Sequence, residues 1–383
     1  GVNYLEGDPN RDLFNLACRV SAKRLFPNFA FIDAPFNLQY YKKGNPDTEI
    51  AYMGCRTRVI GNTFDPSREI VTGRGNLSFT SINLPRLGIV AAKEHGLASR
   101  AAKNAFFAAL DEMLTLVERQ LLDRFEIQRR KRVLNFPFLM GQGVWIDSEK
   151  LDKSDKVDSI IRHGSLGIGF IGLAECLMAL WGKHHGEDED AQKLGLEIVS
   201  FMRSRVNAMS ARHKLNFSLI ATPAEGLSGR FTQMDKKRFG VIDGVTDKEY
   251  YTNSFHVPVN FMTTFGHKIE VEAPYHALTN GGHITYVEYD GDPTVNLKAF
   301  MKIVDTMKEA GIGYGAINHP LDRDPVCGYT GVIGDTCPGC GRTDVDSPVK
   351  FERIRRITGY LVGTLDRFND AKRAEEHDRV KHH

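Results

Sequence analysis

The sequence predicts an α/β protein carrying a small C-terminal appendix. Between Asp12 and Ala310, helix-spaced apolar residues alternate with short strand-like runs, while beyond Asn318 the chain turns to Gly, Pro, Cys and Asp. With 383 residues, 42% hydrophobic and 26% charged, it has material for a large core or two ordinary domains, which excludes wholesale disorder.

The first helix is expected over Asp12 to Phe26, where Leu13, Leu16, Ala17, Val20 and Leu25 recur near helical spacing after an Asp8–Pro9–Asn10 turn. Cys18 lies inside it and reads as a small buried thiol. Residues 27–90 hold short apolar runs cut by Pro and Gly (Phe29–Ile32, Val59–Ile60, Phe79–Leu84) and predict strands joined by long loops. A long helix is expected from Ala91 to Val133, closing in Arg129–Arg130–Lys131–Arg132. Such a run suits a nucleic-acid patch or, more simply, cations meeting the negative end of a helix dipole. Ser165–Trp181 reads as a loop entering an apolar helix, Asp188–His213 as an amphipathic helix, Ser218–Tyr289 as strands between loops, and Leu297–Ala310 as a helix. The C-terminal stretch reads as a short strand, a Gly turn at Gly359 and a charged helix, by pattern alone an ordinary surface appendage.

Fifty basic against forty-eight acidic residues leave +2, so no broad cationic field points to DNA or an anionic membrane. No apolar run reaches the length of a membrane span. The N-terminus has neither a secretory signal nor a starting Met, and the chain reads as part of a longer protein. Six cysteines in this length make no disulfide scaffold, and three of them crowd between 327 and 340, as in a metal site of a reducing, cytoplasmic compartment.

Three motifs bear on chemistry. Gly167, Gly169 and Gly172 spell G-x-G-x-x-G, but the residues before them do not read as a clean strand and Glu187–Asp190 open a helix. Close backbone packing where a helix begins is expected, not a dinucleotide site. Cys327, Cys337 and Cys340 sit in two glycine-rich knuckles, each closed by Cys-Gly, which predicts a structural zinc site; three unliganded thiols are the alternative. The fourth ligand is expected to be Asp324, where a C-x-x-C knuckle would place its first Cys, or else His319. Cys55, in Ala51-Tyr-Met-Gly-Cys55-Arg-Thr-Arg, is not a typical core thiol, and the neighbouring cations are expected to favour its thiolate.

Read in order, Gly-Asp-Pro-Asn near the start, Met53-Gly-Cys55-Arg, Gly73-Arg-Gly-Asn76-Leu, Asn83-Leu-Pro-Arg86, Thr222-Pro-Ala-Glu225, Tyr251-Thr-Asn-Ser-Phe-His256-Val, Glu272-Ala-Pro-Tyr-His276, Gly281-Gly-His-Ile284, the cysteine knuckles and Arg356-Ile-Thr-Gly359-Tyr-Leu resemble the anaerobic (class III) ribonucleoside-triphosphate reductases across essentially the whole chain. The resemblance implies the second half of a ten-stranded α/β barrel with a Cys-bearing finger loop over residues 1–315, a zinc ribbon over 316–345, and a glycyl-radical loop with a terminal helix over 346–383. By motif match Gly359 is the radical glycine, Cys55 the thiyl cysteine, and Asn76 the residue positioning formate and substrate. Implied with them are ribonucleoside triphosphates as substrates, formate as reductant, structural Zn2+, and a radical S-adenosylmethionine activating enzyme with an iron–sulfur cluster. A homodimer is implied too.

Three departures stand out. The family's N-terminal half-barrel, with its second active-site cysteine and effector site, and the frequent ATP-cone domain are not in this chain. Asp324 replaces a zinc cysteine, and Thr358 stands where many members carry Cys. The rival readings are a formate-lyase-type glycyl-radical enzyme, disfavoured because Cys55 has no adjacent Cys, and a non-catalytic zinc-ribbon remnant or split subunit, disfavoured because Cys55 and Gly359 are both kept.

Overall fold

Parallel strands joined by helices organise the computed structural model, which describes residues 2–4, 7, 9–357, 359–362 and 364–382. In chain order the strands are β1 (Val2–Tyr4), β2 (Phe29–Phe31), β3 (Tyr52–Met53), β4 (Thr57–Arg58), β5 (Asn76–Asn83), β6 (Ser165–Ile171), β7 (Asn216–Ala221), β8 (Thr285–Glu288), β9 (Tyr314–Asn318), β10 (Leu321–Arg323), β11 (Thr330–Gly331), β12 (Glu352–Ile357) and β13 (Tyr360–Val362). They form a parallel sheet β5-β6-β7, a mixed sheet β1-β2-β9-β8, an antiparallel C-terminal sheet β11-β10-β12-β13 and the two-stranded finger β3-β4. Among the described residues no sheet closes into a barrel.

The largest core lies between the β5-β6-β7 sheet and its helices. Phe106, Leu110, Leu114, Val117, Leu121 and Phe125 of the helix Arg100–Arg129 meet Leu166, Ile168 and Phe170 of β6 and Ile198, Met202 and Val206 of the helix Glu189–His213. Their near-helical spacing is what buries one stripe of each helix, and truncating one such Leu to Ala costs about 2–5 kcal/mol. A second core joins Phe14 and Ala17 of the helix Arg11–Arg24 to Phe29, Phe31, Phe300 and Val304, and Cys18 is fully buried there, its thiol pushed up to about 12 mainly by burial. No helix among the described residues is long and apolar enough to cross a membrane.

The structure corrects several expectations. The single helix over Ala91–Val133 is two, Leu84–His95 and Arg100–Arg129, because Gly96 turns out of the first at φ +87° and Ser99 caps the second, its side chain accepting from Ala102 N. The expected strand at Val59–Ile60 lies two residues earlier, at β4. Ser165–Ile171, read as a loop, is the central strand β6; buried on both faces throughout, it has no polar alternation to betray it. Within Ser218–Tyr289 the structure has two further helices, Gly226–Phe239 and Phe265–Leu278, the second kept despite Pro274 inside it. Asp8 and Thr358 lie outside the described residues.

Candidate active site and metal centre

The finger places Cys55. β3 and β4 pair through Tyr52–Arg58 and Met53–Thr57, leaving Gly54 to Arg56 at the tip. The tip is fastened to the sheet at Gly282, which bridges both Thr57 and Ile220 of β7. A β-carbon at Gly282 would collide with the Arg56 carbonyl, so only glycine lets the finger approach so closely. Behind the tip, Arg56 is fully buried, and its Nη1 lies 3.3 Å from His256 Nε2. His256 Nδ1 lies 3.2 Å from Glu272, which also accepts from Val257 N at 3.0 Å and Thr285 Oγ1 at 2.7 Å and pairs with Lys268. Burial alone would raise the Glu272 carboxyl, but Lys268 and His256 hold it well below the usual carboxylate range. Two of the quoted motifs, around His256 and Glu272, thus meet as the anchor of the finger.

Gly359 reaches the same tip from the other end of the chain. β12 and β13 pair Ile357 with Tyr360, and Gly359 ahead of β13 has φ +111°, a left-handed backbone that favours glycine. A β-carbon on Gly359 would sit 2.6 Å from Cys55 Sγ and 2.9 Å from its Cβ. With a carbon–carbon bond of ~1.5 Å, Gly359 Cα is within about 4 Å of the sulfur. Buried Arg356 holds the hairpin by donating to Asn28 Oδ1 at 2.8 Å, and its carbonyl accepts from Arg379 at 2.7 Å. Arg379 in turn pairs with Glu288 at 3.0 Å and Glu375 at 3.4 Å, sewing the C-terminal helix Asp370–Asp378 onto the end of β8.

The thiol state differs from expectation. Burial pushes the Cys55 thiol up, and this outweighs the lowering by Arg56 and Arg356. Cys55 therefore keeps its proton at neutral pH, the form that can give up a hydrogen atom. The Glu225 carboxylate stands beside it, its Oε1 4.0 Å from Cys55 Sγ. The Thr222-Pro-Ala-Glu225 motif alone does not mark Glu225 for a role; only the fold brings it to the finger, since it follows β7 where the chain enters the helix Gly226–Phe239.

The face of the β5-β6-β7 sheet that carries the side chains of Ser81, Ile220 and Thr222 is also where Gly167 and Gly169 fall, inside β6. A β-carbon on Gly169 would run into Thr222 Oγ1 and lie 2.9 Å from Ser81 Oγ, and one on Gly167 would lie 3.0 Å from Phe79 Cβ. These glycines thus serve the sheet surface, and of the G-x-G-x-x-G only Gly172 stands where the helix Leu173–Trp181 begins. Asn76 opens β5 with Nδ2 3.6 Å from the Gly167 β-position and its buried Oδ1 without a partner. It shares this face, but no hydrogen bond described joins it to Cys55, Glu225 or Gly359.

The second constellation is local. Ligand atoms of Asp324, Cys327, Cys337 and Cys340 all lie within 4.8 Å of one another. Asp324 Oδ2 is 3.4 Å from Cys327 Sγ and 3.3 Å from Cys340 Sγ, and the Cys327 and Cys337 sulfurs are 3.6 Å apart. Those separations are close to the edges of a tetrahedron with Zn–S bonds of about 2.3 Å and a Zn–O bond of about 2.0–2.2 Å. Gly328 and Gly341 follow their cysteines at φ +78° and +74°, the turns that fold each knuckle back. Arg342, donating to both Asp324 oxygens at 2.9 Å, holds that carboxyl far below the usual range, so it stands as a charged ligand. Four residues here could hold zinc and would leave no open position. His319 is not among them: its ring lies 3.0 Å from the Pro320 carbonyl and 3.2 Å from that of Ser21, and burial pushes its pKa down.

The family model described as "Anaerobic ribonucleoside-triphosphate reductase" matches residues 1–382. Among curated proteins, the anaerobic ribonucleoside-triphosphate reductase of Escherichia coli (strain K12) is 35% identical over 394 residues, covering 100% of this chain and 52% of that protein. That of Enterobacteria phage T4 is 33% identical over 390 residues, covering 100% and 60%. The chain thus spans little more than half the length of the relatives it matches. Among solved structures, an anaerobic ribonucleotide reductase superposes with TM-score 0.69 at 18% identity, covering 100% of this chain and 54% of that one. The glycerol-bound B12-independent glycerol dehydratase from Clostridium butyricum superposes with TM-score 0.65 at 11% identity, covering 100% and 52%; at such identities the likeness is one of fold. With a family match running over residues 1–382 and a finger cysteine set against a hairpin glycine, the chain belongs to the anaerobic ribonucleoside-triphosphate reductase family.

Proposed function

We propose that this chain is the catalytic C-terminal portion of an enzyme that reduces ribonucleoside triphosphates to 2′-deoxyribonucleoside triphosphates by a glycyl/thiyl radical mechanism. The observation that carries the proposal is the contact between Gly359 and Cys55, two residues from opposite ends of the sequence. A radical on Gly359 Cα is delocalised over the flanking peptide groups, and the protonated Cys55 beside it can give up its S–H hydrogen atom. The resulting thiyl takes the ribose 3′ hydrogen, which labilises the 2′ hydroxyl so that it leaves as water. Formate supplies the two electrons and leaves as CO2, and Cys55 returns its hydrogen to C3′. In sum, ribonucleotide, formate and one proton give deoxyribonucleotide, CO2 and water. Asn76, with an unpartnered carboxamide oxygen on the same sheet face as the small residues Gly167 and Gly169, suits the task of positioning formate or substrate by hydrogen bonds.

In this reading zinc, held by Asp324, Cys327, Cys337 and Cys340, is structural: it ties the knuckles to β10, whose other neighbour β12 leads into the Gly359 turn. The other half of the barrel would close on β5, the outer strand of its sheet among the described residues, where Phe79 is left 46% exposed. A radical S-adenosylmethionine enzyme would install the radical. The test is Cys55→Ala in the protein completed by that half. Electron paramagnetic resonance should show a glycine-centred radical of normal yield after activation, with deoxyribonucleotide formation lost. Measurable turnover in Cys55→Ala would exclude the thiyl assignment.

A further inference from the structure

At the end of the sheet away from Glu225, where Ser165 and Asn216 open β6 and β7, lies a cavity of about 360 Å³. β7 separates the two ends by about 16 Å, at ~3.3 Å per residue. Its wall carries Arg58, Arg74 and Arg203, with Glu69 as the one carboxylate among the described residues. Arg58 is 2% exposed and Arg74 6%. Among the described residues none of the three guanidinium groups forms an ion pair with a carboxylate, and each donates to neutral oxygens. Arg58 donates to the Asn280 carbonyl at 3.1 Å and to Asn37 Oδ1; Arg74 to the carbonyls of His163 and Ile70, both at 2.8 Å; Arg203 to Asn207 Oδ1 at 2.9 Å and the Leu278 carbonyl at 3.1 Å. The buried Arg74 Nη2 has no partner. Arg379, also buried, is by contrast held between two glutamates.

Buried cations that lack an ion pair are expensive, and cations sharing one cavity repel each other; Glu69 and Asp65 offset this for Arg74 without pairing with it. Burial accordingly pushes all three below the usual guanidinium range, Arg74 to about 10, yet each remains a cation at neutral pH. Three cations against one glutamate leave a net +2, which matches the charge of about −2 on a phosphate monoester better than that of a monocarboxylate. The volume falls in the small-molecule range of about 300–1,000 Å³, more than a chloride ion or a water molecule fills.

We propose that this cavity binds a small phosphate-bearing anion, with Arg58, Arg74 and Arg203 as its recognition groups. Arg58 ends the finger strand β4 and Arg203 belongs to the helix Glu189–His213, so the occupant would tie the base of the Cys55 finger to the scaffold. Binding should therefore stiffen the finger.

The test uses the whole protein and its Arg203→Gln variant, Arg203 being the least buried of the three. Calorimetric titrations with inorganic phosphate and pyrophosphate are run beside citrate, with sodium chloride holding ionic strength constant. Saturable phosphate or pyrophosphate binding is expected, weakened about tenfold or more in Arg203→Gln, since a charge-assisted contact is lost. Hydrogen exchange over residues 52–63 should slow on addition of pyrophosphate, in the wild type far more than in the variant. Equal affinity in Arg203→Gln, or no binding beyond that of chloride, would overturn the site. Citrate binding more tightly than pyrophosphate would overturn its assignment to phosphate.

Discussion

The Asp324–Cys327–Cys337–Cys340 cluster and the Gly359–Cys55 contact both border the C-terminal sheet but are held by different means. Asp324, Cys327, Cys337 and Cys340 come from one loop pair, and what keeps them together is a pair of glycine turns, Arg342 and the metal they could hold. Cys55 and Gly359 have no such local frame. Their approach depends on the finger bridging Gly282, on Arg56, His256 and Glu272 behind it, and on the Arg356–Arg379–Glu288 chain that pins the hairpin. A local site should fail alone when perturbed, whereas a site assembled from the whole scaffold should fail whenever any of its supports does.

The largest effect is expected at the contact itself. Gly359→Ala puts a methyl group 2.6 Å from Cys55 Sγ and strains a backbone at φ +111°, so radical yield and turnover should both vanish while zinc content stays at one equivalent. Radical quantitation beside metal analysis checks this, and loss of zinc in this variant would show that the two regions are not separable. Next is the reverse experiment. Cys337 is buried against Ile333 and Phe351, and Cys337→Ser should reduce bound zinc to near zero and loosen residues 321–357 in hydrogen exchange, leaving protection around the finger intact.

Acid should act on the scaffold-built region. His276 is buried with Nε2 2.9 Å from Thr285 Oγ1 and Nδ1 accepting from Gly313 N at 3.1 Å, and its pKa is pushed down to about 3, chiefly by burial. A second proton would set two N–H groups against each other. The folded pKa lies below the ordinary 6.5, so this stability is complete above pH 6.5 and drains away as pH falls from 6.5 towards 3. Roughly 2 kcal/mol should be lost for such a histidine by about pH 5. A melting series in zinc-saturated buffer measures it, and a flat profile between neutrality and about pH 5 would contradict it. The smallest effect on function is expected from Arg342→Ala, which removes the support of Asp324: zinc affinity should fall about 10–100-fold with the fold kept, read by competition with a chelator.

The same contrast decides what the sequence could reveal. Three cysteines within a short Gly-rich stretch, with Asp324 at knuckle spacing, are legible because the site is built from neighbours. The amphipathic helices Arg11–Arg24, Glu189–His213 and Leu297–Glu309 were legible because one stripe of each is buried. β6 was not, since a strand buried on both faces carries no alternation and its glycines mimic a loop. Glu225 and Arg58 were silent for another reason: a lone acid or cation has no meaning until β7 or the finger sets it beside Cys55 or a cavity. The thiolate expected of Cys55 does not hold, because neighbours in sequence supply cations while the fold supplies burial, and burial prevails.

The most direct measurement of the central claim uses oxygen. A carbon-centred radical at a backbone Cα combines with O2, and the peroxyl product breaks the chain there. The completed protein, activated under anoxia and then aerated, should be cut at Gly359, releasing the charged stretch that begins at Tyr360, while unactivated protein and Gly359→Ala stay intact. Mass spectrometry before and after aeration reads the site of the cut. A fragment ending elsewhere, or cleavage without activation, would contradict a radical on Gly359 beside Cys55.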